Sequence, residues 1–186
     1  MIAEWYASRR TGPIGVPEVT ALLSSLPASA AVLDVGCGSG VPLTRLLIEH
    51  GCQVIGLDSS PNMLSRFTAN FPAVPVICAP IQDCDLTGLT FDAVIAWGVM
   101  FHLPHDEQVT AIAKVATVLK PRGVFLFTAG DDGGWKDGEP MNGVPFRYYS
   151  FTRDGYRDLL REHGLTLEQT HKDQGDNIYY LARRPV

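Results

Sequence analysis

The sequence predicts an α/β protein with an open, doubly wound and mostly parallel seven-stranded sheet and helices on both faces. Three observations carry that reading. From Ala31 onward short β-rich runs alternate with helical patterns, the first run ends in a glycine-rich turn from Gly36 to Gly40, and the last two strand-like runs are joined too tightly for a parallel crossover. At 186 residues and 46% hydrophobic, the chain suits one domain with a substantial core, so residues 1–186 are read as a single domain opening with a helical segment over 1–30.

The elements follow in order. Ala31 to Val35 is short and apolar enough for a buried parallel strand. A helix begins with Pro42 at its first position, carries Leu43, Leu46 and Leu47 on one face and stops at Gly51. Gln53 to Leu57 is the second strand, after which Ser60 caps and Pro61 starts a helix bearing Met63, Leu64 and Phe67. Val74 to Cys78 is a short edge strand that tolerates Pro75, and Phe91 to Ala96 is a more deeply buried one. Val109, Ile112, Ala113, Ala116 and Leu119 recur at helical spacing until Pro121 and Gly123 precede the strand Val124 to Thr128. Thr152 caps a helix with Tyr156, Leu159 and Leu160 on its apolar face, ending at Gly164. Strands at about 165–171 and 177–183, joined by the turn-rich 173–176, close the chain as an antiparallel pair.

Composition narrows the function classes. With 15 basic against 20 acidic side chains the net charge is -5, and no stretch concentrates Lys and Arg, so nucleic acid is a disfavoured partner. Cys37, Cys52, Cys78 and Cys84 show neither CxxC nor zinc spacing, which fits reduced thiols in a cytoplasmic protein. The N-terminus lacks the apolar core of a signal peptide, and no apolar run reaches the roughly 18 residues that would span a bilayer.

Between Val32 and Gly40 the run VLDVGCGSG places Gly36, Gly38 and Gly40 where a strand turns sharply into a helix and a ligand can touch bare backbone. Twenty residues after Gly38, Asp58 ends the second strand, where a carboxylate can accept both hydroxyls of a ribose. A dinucleotide fingerprint would need glycine at position 41, which is Val41, so a nicotinamide-dependent oxidoreductase is disfavoured.

VLDVGCGSG, followed by VIGLDSSPNML and FDAVIAWGVMFHLP, resembles the class I S-adenosylmethionine-dependent methyltransferases over Ala31 to about Thr128. The resemblance implies a Rossmann-like sheet of order 3-2-1-4-5-7-6 with strand 7 antiparallel, S-adenosylmethionine as methyl donor and S-adenosylhomocysteine as product. It implies that Gly36, Cys37, Gly38 and Gly40 line the methionyl part, that Asp34 braces the loop, that Asp58 and Ser59 hold the ribose, and that Met63 lies near the adenine. Many relatives set an acidic residue against the adenine amino group. This chain has Ala79-Pro80-Ile81-Gln82-Asp83 there, which leaves Ile81 as the apolar contact and Gln82 or Asp83 as the polar one. Trp97 and Gly98 would close the pocket at the sulfonium end.

An activated methyl donor asks only for alignment and exclusion of water, so no nucleophile set or metal cluster is required. His102 follows the fourth strand, beside the meeting place of acceptor and methyl group; it is either the base that takes the acceptor's proton or a structural histidine. His102 and His105 form HxxH, but Pro104 breaks a shared helical face and no metal is expected. The segment 130–151, rich in Gly, Pro and aromatics, is read as a flap over the acceptor site in preference to a passive surface loop, with Trp5, Tyr6, Arg9 and Arg10 either closing the other side or anchoring the N-terminus. Ala96-Trp97-Gly98-Val99 stands where an Asp-Pro-Pro-Tyr or Asn-Pro-Pro-Tyr run would mark base-amino methylation, so a small-molecule acceptor is expected. The alternative is a non-catalytic sensor or scaffold binding the same cofactor.

Overall fold

Near-continuous apolar runs bury the central strands on both faces, and everything else is arranged around them. The computed structural model describes residues 15–173 and 177–186. The expectations attached to Trp5, Tyr6, Arg9 and Arg10, and to the middle of the turn at 174–176, lie outside the described residues.

Helix α1 (Val16–Leu23) leads into β1 (Ala31–Val35), α2 (Leu43–Glu49), β2 (Gln53–Asp58), α3 (Pro61–Asn70), β3 (Val76–Cys78) and β4 (Phe91–Ala96). A 3-10 turn (Met100–His102), α4 (His105–Val118), β5 (Leu119–Ala129), β6 (Asp132–Met141), β7 (Val144–Thr152), α5 (Arg153–Glu162), β8 (Thr166–Lys172) and β9 (Ile178–Arg183) follow. The large sheet runs β3-β2-β1-β4-β5-β9-β8, parallel from β3 to β5 and antiparallel at β9. With the separate β6–β7 pair left out of the count, this is the order 3-2-1-4-5-7-6.

Period-two alternation divides the core into two layers. Val32, Ala93, Ile95, Val124 and Leu126 point toward α1 and α2, where Val19, Leu22, Leu43 and Leu47 meet them. Leu33, Val94, Phe125 and Phe127 point the other way, onto Ile112 and Val115 of α4 and Tyr156 and Leu160 of α5.

Three local expectations need correction. Pro42 occupies the N-cap of α2 instead of its first position, after a cis Val41–Pro42 bond. Strand β5 starts at Leu119, opposite Phe91, and a register shift lets it pass Pro121 and Gly123 before Val124 pairs with Ala93. Residues 130–151 are not an irregular connection: most of them form the β6–β7 hairpin, whose tip is Asn142-Gly143, both left-handed at φ 53° and 77°. Asn-Gly suits such a turn because its backbone twist matches that of the flanking strands.

The hairpin is tied down by polar groups. Gln108, fully buried on α4, donates from Nε2 to the carbonyls of Leu103 (2.8 Å) and Tyr149 (3.1 Å) and accepts from the Tyr156 hydroxyl (2.6 Å). The Tyr180 hydroxyl of β9 donates to Gly130 at 2.9 Å, just before the hairpin begins.

Candidate active site

Parallel β1 and β2 end on the same side of the sheet, and the turn between β1 and α2 is held there by backbone and carboxylate bonds. The N–H groups of Gly36 and Cys37 donate to the Leu57 carbonyl at 2.7 and 3.1 Å. Gly36, Gly38 and Gly40 all take left-handed φ values of 66°, 56° and 78°. A Cβ on Gly36 would lie 2.1 Å from Val99 Cγ2 and one on Gly40 2.4 Å from the Phe71 ring, whereas one on Gly38 would meet nothing among the described residues nearer than the Gly36 carbonyl at 4.0 Å. Gly38 therefore leaves open space beside exposed peptide.

Asp58 clamps this turn. Its Oδ2 accepts from the Gly38 N–H at 2.9 Å and its Oδ1 from the Ser60 N–H at 2.8 Å. A carboxylate has about four acceptor positions, so two remain for hydroxyl donors. Ser60 in turn accepts from the Met63 N–H and caps α3.

A cavity of about 280 Å³ opens here. Gly36, Gly38, Asp58, Ser59 and Met63 line one side, Ile81 and Gln82 another, and Gly98 and His102 a third. Gln82 donates from Nε2 to Glu107 Oε2 at 2.8 Å, while its buried Oε1 has no hydrogen-bond partner among the described residues. An unsatisfied buried acceptor beside a cavity calls for an incoming N–H or O–H donor.

Four of the residues expected in the site stand outside this lining. Asp34, 4% exposed, accepts from the Thr44 hydroxyl and so braces the start of α2. Gly40 lies under the rings of Phe67 and Phe71. Cys37 turns its Sγ toward Gly56, and burial first, then the charges of Asp34 and Asp58, push its thiol pKa far up, so it is no nucleophile. Trp97 continues the parity of Ala93 and Ile95 and is carried into the α1–α2 layer, 6.4 Å from the Tyr179 ring and against Gly15. Gly98, the next residue, does reach the cavity, and its N–H is anchored by Thr128 Oγ1 at 2.7 Å.

His102 packs among rings: Phe101 at 4.7 Å, Tyr148 at 5.4 Å and Phe146 at 5.6 Å between centroids. His105 is separately engaged, its Nε2 lying 2.9 Å from the Ser150 carbonyl. Among the described residues no group of three or more His, Cys, Asp or Glu side chains could hold a metal ion. Val99, Leu103 and Phe146 also line the cavity. The first two follow directly from their place after β4, but Phe146 arrives from the far hairpin with no local signal.

A family model described as a methyltransferase domain matches residues 32–123, the part that contains the glycine turn, Asp58, Gln82 and His102. That match, together with the fold, supports a class I S-adenosylmethionine-dependent methyltransferase. Curated relatives of this chain include a malonyl-[acyl-carrier protein] O-methyltransferase of Enterobacter lignolyticus, 34% identical over 110 residues, covering 58% of this chain and 43% of that protein. A tRNA U34 carboxymethyltransferase of Hahella chejuensis is 37% identical over 102 residues, covering 51% and 30%. The chain thus spans less than half the length of either. The solved structure of Burkholderia thailandensis 1,6-didemethyltoxoflavin-N1-methyltransferase superposes with a TM-score of 0.76 at 22% identity, covering 100% of this chain and 85% of that one, a likeness of fold.

Proposed function

We propose that this methyltransferase binds S-adenosylmethionine in the 280 Å³ cavity and transfers its methyl group directly to a small-molecule acceptor, releasing S-adenosylhomocysteine. The observation that carries the reading is the Gly38–Asp58 clamp, which sets open backbone and a half-satisfied carboxylate side by side. Gly36 and Gly38 admit the methionyl part, Asp58 and Ser59 take the ribose hydroxyls, and Met63 and Ile81 flank the adenine. The Gln82 Oε1 accepts from the adenine amino group, the role an acidic residue fills in many relatives.

The donor supplies a sulfonium-bound methyl group: an acceptor lone pair forms the new bond to carbon while the electrons of the breaking carbon–sulfur bond return to sulfur. The protein's share is alignment and exclusion of water, with His102 placed to receive the acceptor's proton. A net charge of -5 supports a small molecule over nucleic acid, and four cysteines without disulfides support a reducing, cytoplasmic setting. No helix among the described residues is long and apolar enough to cross a membrane.

Incubation with methyl-labelled S-adenosylmethionine and fractionated metabolite pools tests the reading. Label should enter a low-molecular-weight product with wild-type protein and fall at least tenfold with Asp58→Ala. Cofactor binding without label in any fraction would instead favour the sensor.

A further inference from the structure

A second cavity, of about 300 Å³, opens between the C-terminal end of β5 and the β6–β7 hairpin. That volume lies at the lower end for small-ligand sites. Two of its lining residues, Phe101 and Tyr148, pack on the ring of His102, which lines the cofactor cavity. The two spaces therefore adjoin at these three rings.

Four rings stand in the wall of this second cavity, Phe101 from the turn after β4 and Trp135, Tyr148 and Tyr149 from the hairpin, beside the polar Asp132, Lys136, Ser150 and Asn177. The charges around it are already matched. Lys136 bonds Asp132 at 2.9 Å, Arg153 bonds Asp131 at 2.6 Å, and Arg147, which lies 4.0 Å over the Trp135 ring, bonds Asp137 at 3.2 Å. A charged ligand would break one of these pairs or enter without a counter-charge, and a saturated one would forgo the edge and face contacts that ring walls offer.

We propose that this cavity takes the methyl acceptor, and that the acceptor is a neutral planar aromatic compound with a hydroxyl or ring N–H at one edge. The inference rests on the methyl-transfer reading above. The bearing edge reaches past Phe101 and Tyr148 toward His102. Its oxygen or nitrogen lone pair bonds to the methyl carbon as the carbon–sulfur bond breaks toward sulfur, and its proton passes to the His102 imidazole and then to water.

Calorimetry with three bicyclic probes tests this: 2-naphthol, its charged analogue 2-naphthoate and the saturated, non-planar decahydro-2-naphthol, each added to protein saturated with S-adenosylhomocysteine. The 2-naphthol should bind at least tenfold more tightly than the other two. Trp135 is 57% exposed, so Trp135→Ala can be made without opening the core; it should erase most of that preference and leave S-adenosylhomocysteine affinity within twofold of wild type. Equal binding of the three probes, no 2-naphthol binding, or a preference untouched in Trp135→Ala overturns the assignment. If S-adenosylhomocysteine itself gives no heat, the methyl-transfer reading falls as well; if it binds and the naphthol preference is missing, only the acceptor assignment falls.

Discussion

The His102 and Tyr148 rings lie 5.4 Å apart, and each lines a different cavity. His102 reaches its place through the 3-10 turn after β4, Tyr148 through a hairpin held by Gln108, so the meeting of donor and acceptor spaces depends on both supports.

This arrangement separates binding from turnover at His102. His102→Ala should lower kcat about 100-fold, the low end for a lost general base, with S-adenosylhomocysteine affinity within twofold of wild type. Steady-state kinetics on the true acceptor beside calorimetry checks it, and an unchanged kcat would remove the base.

Glycine at position 36 is required twice over, by φ 66° and by the Val99 side chain. Gly36→Ala should cost more than the ~1–2 kcal/mol of a left-handed alanine alone, and adding Val99→Ala should recover the excess. Gly38→Ala, with open space around it, should show only the conformational part in stability but weaken cofactor binding. Denaturant melts of the four proteins resolve these contributions.

The buried amide of Gln108 should matter as much as an apolar core residue. Tyr156→Phe leaves Gln108 Oε1 without its 2.6 Å donor and should destabilise by about 1–3 kcal/mol. Hydrogen exchange at Tyr149 and its neighbours should rise in Gln108→Leu, which loses the bond to the Tyr149 carbonyl.

Alkaline pH should act through groups buried in neutral form. Burial raises the pKa values of Cys37, Tyr156 and Tyr180 above their ordinary 9.0, 10.0 and 10.0. Their contribution to stability is complete below about pH 9 and is lost as pH climbs from the ordinary values toward the raised ones, because the unfolded chain ionises first. Urea midpoints should hold from pH 7 to 8.5 and fall above pH 9. At pH 8, iodoacetamide should label exposed Cys78 and spare Cys37 in the folded protein, as read by mass spectrometry.

Strand order, the glycine turn and its carboxylate partner were legible because each is local: a short apolar run, a bend only glycine tolerates, an acid at a strand end. Trp97 is expected to close the pocket, although its true side was legible, since two-residue steps from Ala93 and Ile95 carry it to the face opposite the cavity. The hairpin is read from sequence as a flap or loop, although the Asn142-Gly143 turn signal for it was legible. Phe146 and Gln108 were not, because a ring 44 positions from His102 and a glutamine on an apolar helix face acquire meaning only when distant segments meet.

The central claim is the adenosyl site at Gly38 and Asp58, and titration calorimetry with S-adenosylhomocysteine and with a nicotinamide dinucleotide tests it most directly. The account predicts one S-adenosylhomocysteine per chain, at least tenfold weaker (about 1.4 kcal/mol) in Asp58→Ala, and no saturable heat from the dinucleotide. Absence of heat from S-adenosylhomocysteine with folded wild-type protein, or tighter binding of the dinucleotide, would contradict it.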